Sequence, residues 1–158
     1  MAAGTTMAGP LRLHAVAGHA GEPEMAERLH GLSHAGKVEY LTLDRNDTLR
    51  KRLRAVSDKG TECAIAIERG QSLDNGAVLF AEDGRAVVVR MKEQAWLRLR
   101  PRDAAAGLEL GYWVGNLHWR VKFDGDVIAV ALDGPESDYL ARLEPLLADG
   151  RAMRAGDA

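Results

Sequence analysis

Between Asp103 and Asn116 the chain carries only two charges, Asp103 and Glu109, in a run dominated by alanine, glycine, leucine and aromatic residues. Asp103 suits an N-cap and the alanines favour a helix, so the segment reads as a helix ending near Asn116. A helix that is apolar nearly all round is buried on more than one side. The short unit around it offers one sheet, so the other side, read as Leu110, Trp113, Val114 and Leu117, requires a second partner.

After this helix, Trp119, Val121 and Phe123 alternate with Arg120, Lys122 and Asp124, and Asp124-Gly125 turns the chain into Val127–Leu132. Gly134-Pro135 opens a second helix, with Tyr139, Leu140, Leu143, Leu146 and Leu147 at helical spacing. Pro145 is expected to kink it or end its regular part near Leu143. Arg151–Ala155 reads as a last edge strand. With residues 95–99 counted as a shared first strand, the order is β-α-β-β-α-β, the split ferredoxin-like arrangement.

Upstream, residues 11–99 read as about seven short strands separated by turns, with one short helical stretch at Glu24–His30. The strongest turns are Asp58-Lys59-Gly60 and Asp83-Gly84. In 51–56, Lys51, Leu53 and Ala55 fall on one face and Arg50, Arg52 and Arg54 on the other. The fold class expected is therefore α+β: an N-terminal small all-β domain over 11–98, then a ferredoxin-like βαββαβ domain over 99–154. Residues 1–10 and 155–158 read as tails.

Composition narrows the function. At 158 residues and 46% hydrophobic, the chain can build a core. Its net charge is -2, and neither part has the positive excess of a nucleic-acid binder: 14 basic against 13 acidic side chains in 1–98, and 7 against 10 in 99–158. A lone Cys63 cannot form an internal disulfide, which suits a reducing compartment. No apolar run approaches the roughly 20 residues that span a bilayer, and MAAGTTMAGP has neither the basic start nor the apolar core of a secretory signal. The expectation is a cytoplasmic protein without membrane or nucleic-acid partners.

No Gly-rich phosphate loop, nucleophile elbow, HExxH or CxxC occurs, which speaks against an enzyme. The histidines are His14, His19, His30, His34 and His118, and the spacing of the first four matches no metal signature. His30 and His34, four apart, would share a face of a continuous helix and could bind a metal, although Gly31 and Ser33 weaken that helix. Otherwise they are surface histidines. His118 reads either as a helix-end histidine favoured by the dipole or as a ligand. One imidazole holds a divalent ion poorly, but a two-fold partner would supply a second. Cys63 shares its face with Ile65 and Ile67 and reads as a core thiol. Arg50, Arg52 and Arg54, with Lys51 and Arg45, are either a solvated face or a site for an acidic partner or RNA, although no stacking aromatics interleave with them.

Several segments resemble a known family: Arg28–Leu32, Val38–Leu43, Arg50–Arg54, Asp58–Ile67, Arg98–Pro101 and Gly111–Trp119. Together they are similar to urease accessory protein E, most clearly in the SDxGTE turn and the GNxH motif. The resemblance implies a nickel metallochaperone. Its β domain would dock partners, and its ferredoxin-like domain would form a homodimer binding Ni2+ at His118 across the axis. The partners implied are the urease assembly complex, with its accessory GTPase and apo-urease. Two features depart from the family. Trp113 stands where many members have a histidine, and an indole N–H cannot ligate a metal. Trp113 lies about 140° around the helix from His118, so the His118 site can survive the change. The tail 151–158 has no histidines, which implies a low nickel capacity. The alternative is a metal-independent adaptor working through the basic face of the β domain.

Overall fold

The computed structural model describes residues 9–156, so the tail expectations for 1–8 and 157–158 lie outside the described residues. The chain divides into two compact units, Met1–Lys92 and Glu93–Ala158.

Unit 1 runs β1 (Leu11–Leu13), β2 (Gly18–His19), α1 (Pro23–His34), β3 (Val38–Leu43), α2 (Arg45–Thr48), β4 (Leu53–Val56), β5 (Glu62–Ile65), β6 (Ala77–Glu82) and β7 (Arg85–Met91). It forms two sheets, ordered β1-β5-β4 and β2-β6-β7-β3. Leu13, Leu41, Leu43, Cys63, Ile65, Val87 and Val89 build its main core. The all-β expectation for this unit is corrected by α1, a helix of 12 residues that continues through Gly31 and Ser33. Met25, Leu29 and Leu32, spaced four and three apart, pack on Val38, Val78 and Val88 of the sheet. Burial of that stripe outweighs the weak propensity of its glycine and serine. Strand β4 begins at Leu53, and Lys51 is exposed rather than facing inward with Leu53.

The SDxGTE segment joins the two sheets. Gly60 adopts φ +84 in the turn between β4 and β5, a conformation that glycine takes without steric cost. The Tyr40 amide of β3 donates to Asp58 Oδ1 at 2.8 Å, and the Asp58 amide returns a bond to Tyr40 O at 2.9 Å. Ser57 Oγ donates to the buried Glu39 carboxylate at 2.6 Å and accepts from the amides of Lys59 and Thr61. Burial by itself raises the Glu39 pKa, but the Ser57 and Thr61 hydrogen bonds and the charges of Arg85 and Lys59 hold it below the usual carboxylate range. At the other expected turn, Asp83 and Gly84 take φ +51 and +68, which closes a tight β6–β7 hairpin.

Unit 2 runs β8 (Trp96–Pro101), α3 (Ala104–Asn116), β9 (Val121–Asp124), β10 (Val127–Ala131), α4 (Glu136–Ala148) and β11 (Ala152–Arg154). Its sheet is ordered β11-β8-β10-β9, and every neighbouring pair is antiparallel. Strand β8 pairs with β10 and β11 and belongs wholly to this unit, so the division falls upstream of the expected 98/99 boundary. Leu97, Leu99, Ile128 and Val130 of the sheet pack with Leu110 and Val114 of α3 and Leu143 and Leu146 of α4. Helix α4 runs on through Pro145 to Ala148 rather than ending near Leu143. Leu146, fully buried beyond the proline, holds that last turn against the core.

Candidate functional site

Helix α3 is capped where the sequence indicates: the Asp103 carboxylate accepts from the Ala106 amide at 2.8 Å. Its faces, however, are assigned differently from the reading above. Ala106, Leu110 and Val114 are buried against the unit's own sheet, and Trp113 and Leu117 flank them half-buried. The apolar side chains left in solvent are Leu108 and Tyr112, 79% and 73% exposed. Gly111 and Gly115 lie on the outer side beside them, and a Cβ at either would meet open space. The result is a smooth apolar stripe running toward the helix end.

His118 stands just past that end. The Trp119 amide bonds back to Val114 O at 3.3 Å and the His118 amide to Gly115 O at 3.0 Å, the paired bonds of a Schellman cap. That cap requires a left-handed residue, and His118 supplies it with φ +54. Glycine is the usual occupant, because a Cβ in this conformation costs roughly 1–2 kcal/mol. The imidazole is exposed and makes no hydrogen bond or ion pair among the described residues.

Trp113 has a structural role of its own. Its indole Nε1 donates to Arg142 O at 3.0 Å, which ties α3 to α4. The GNxH segment therefore presents one imidazole, that of His118, while the tryptophan five positions earlier is engaged inside the unit.

The remaining histidines separate cleanly. His19 uses both ring nitrogens locally: Nδ1 accepts from the Gly21 amide at 3.0 Å, and Nε2 lies 3.0 Å from Asn75 O. His30 and His34, on one face of the continuous α1, bring their Nε2 atoms to 3.1 Å. Cys63 is buried, and desolvation together with the Glu39 charge pushes its thiol pKa up, so it is an inert core residue. Among the described residues no group of three or more His, Cys, Asp or Glu side chains could hold a metal ion.

The arginines are partly brought together. The register Arg12–Ala64–Arg54 crosses the β1-β5-β4 sheet on its outer face. Arg12, His14, Arg52 and Arg54 line an open groove of about 330 Å³ together with Ala64 and Ala66. Arg50 is exposed before β4 and does not line it. Arg12 and His14 were not assigned to this face from the sequence, because only the parallel β1–β5 pairing brings them beside Arg52 and Arg54. None of Arg12, Arg52 and Arg54 forms an ion pair among the described residues.

Comparison with known proteins sets these features in context. The family model for the N-terminal domain of UreE urease accessory protein matches residues 24–92. The chain is 57% identical over 145 residues to urease accessory protein UreE 1 of Pseudomonas syringae pv. syringae, covering 92% of this chain and 99% of that protein. It is 56% identical, with the same coverage, to UreE 1 of Pseudomonas syringae pv. tomato. To UreE of Natronomonas pharaonis it is 32% identical over 117 residues, 71% of this chain and 54% of that protein. These likenesses define an accessory protein, not an enzyme. The chain belongs to the urease accessory protein UreE family. No helix among its described residues is long and apolar enough to cross a membrane.

Proposed function

We propose that the protein is a cytoplasmic nickel metallochaperone of urease maturation. It is a homodimer that carries Ni2+ between two His118 imidazoles and passes it to the urease assembly complex, meaning the accessory GTPase and apo-urease. Unit 2 serves as the ferredoxin-like metal-binding and dimerisation domain, and unit 1 as the partner-docking domain.

One observation carries the reading. His118 occupies a backbone conformation that favours glycine, yet its imidazole has no partner among the described residues that would offset the strain. A ligand role explains a histidine there, and an imidazole suits nickel. The uncovered Leu108 and Tyr112 supply the surface on which a second copy would pack. A two-fold axis then brings the two His118 side chains to one ion. Calorimetric nickel titration of the wild type and His118→Ala, with light scattering, tests this. The expected result is a particle of about twice 17.1 kDa binding one tight nickel per dimer, with the tight phase absent from the variant. Unchanged affinity in His118→Ala, or a tight phase of one ion per chain, refutes it.

A second reading, a metal-independent adaptor, is favoured by the groove at Arg12, Arg52 and Arg54, none of which forms an ion pair among the described residues. It requires partner binding that survives loss of His118 and weakens steeply with salt.

A further inference from the structure

We propose that His30 and His34 form a separate metal site on α1, a two-imidazole chelate for a late first-row divalent cation with water completing its shell. The site lies within a single chain and does not rest on the His118 reading.

The geometry is already that of a chelate. Helix α1 spans Pro23–His34 without interruption, so both side chains project from one face one turn apart. Their Nε2 atoms are 3.1 Å apart, with ring centroids at 4.5 Å and the ring planes at 89°. Two nitrogens bound to one metal at about 2.1 Å are separated by about 3.0 Å when cis at a right angle, and by about 3.4 Å at the tetrahedral angle. The 3.1 Å spacing lies between the two, so both rings reach one ion with little movement. For such a nitrogen pair the divalent affinity order places Cu2+ above Ni2+ and Zn2+.

The surroundings favour a cation as well. His34 is the last residue of α1, where free backbone carbonyls concentrate partial negative charge. Both imidazoles are exposed, so water can fill the other positions. Glu27 lies one turn before His30, and no described side chain joins the pair as a third donor. In the metal-free protein one ring donates its Nε2–H to the other. On binding, the metal takes the place of that proton, and the donor ring carries its proton on Nδ1 instead. Two ligands and exchangeable water make a loose site, filled after any tighter one.

The test uses the full-length His118→Gly variant, which removes the other candidate ligand. It is titrated separately with CuCl2, NiCl2 and ZnCl2 by calorimetry, and the Cu2+ form is read by electron paramagnetic resonance. The expected result is one ion per chain, bound in the order copper above nickel and zinc, with a copper spectrum showing two nitrogen donors. His30→Gln and His34→Gln should each weaken copper binding at least tenfold, while circular dichroism confirms that α1 persists. Copper affinity unchanged by either substitution, or zinc bound more tightly than copper, overturns the proposal. In the wild type, failure of the His118 reading removes the phase at half an ion per chain, whereas failure of the α1 site removes the phase at one ion per chain.

Discussion

Replacing His118 separates what its backbone contributes from what its ring contributes. The residue sits at φ +54, with its amide and that of Trp119 closing the cap on Gly115 and Val114. Any L side chain there pays roughly 1–2 kcal/mol. Glycine escapes that cost but brings about 0.5–1 kcal/mol of extra unfolded-state freedom. His118→Gly should therefore be more stable than His118→Ala by up to about 1.5 kcal/mol, and within about 1 kcal/mol of the wild type. Alanine retains the strain and loses the imidazole's interaction with the helix C-terminus, worth about 0.3–1 kcal/mol when the ring is charged. For a unit the size of Glu93–Ala158, 1 kcal/mol corresponds to a Tm difference of roughly 4–8 °C. Thermal unfolding with a chelator present, followed by circular dichroism, measures the order of the three proteins. Nickel calorimetry measures the other half, and both variants should lack the tight phase equally. If His118→Ala melts at or above His118→Gly, the strain argument is wrong. Tight nickel binding retained by either variant removes His118 from the site.

Tyr112→Asp, which places a charge on the exposed stripe of α3, should convert the dimer to a monomer by light scattering without unfolding unit 2, because the side chain is 73% exposed within one chain. Trp113→His should add weaker nickel sites while the tight phase stays at one per dimer, and should also lower the Tm, since it removes the indole bond to Arg142 O, worth about 1 kcal/mol. Glu39 contributes stability above the ordinary carboxylate range that is lost as pH falls through its depressed folded value. Denaturant midpoints of the wild type should therefore drop with acidification below about pH 4, and Glu39→Gln should flatten that dependence. Ser57→Ala should cost about 1–3 kcal/mol at neutral pH, because it strips a hydrogen bond from a buried carboxylate and leaves the Lys59 and Thr61 amides without their acceptor.

The features legible in the sequence were those with local chemistry. The Asp103 cap, the Asp83-Gly84 hairpin and the turn at Gly60 each depend on a few adjacent residues. The faces of α3 were not legible, and for a physical reason. A helix apolar all round has no polar side to mark solvent, so periodicity could not say that Leu110 and Val114 turn inward and Leu108 and Tyr112 outward. The full length of α1 depended on packing against β strands far along the chain. The left-handed state of His118 was hidden because the residue that normally signals such a cap is glycine.

The two proposed metal sites answer to different variables. A site at His118 exists only when two chains meet, since one imidazole holds a divalent ion poorly. Nickel and dimerisation are then a single linked equilibrium. Free nickel at a hundredfold excess over the dimer's dissociation constant stabilises the dimer by about 2.7 kcal/mol, and by reciprocity dimer formation raises nickel affinity. Any partner that pulls the protomers apart removes half the ligands and releases the ion. The His30–His34 pair has both ligands on one helix of one chain, so its occupancy follows metal concentration and is indifferent to assembly. A carrier with both sites would collect metal on α1 as a monomer or a dimer, but would hold it tightly only between two chains.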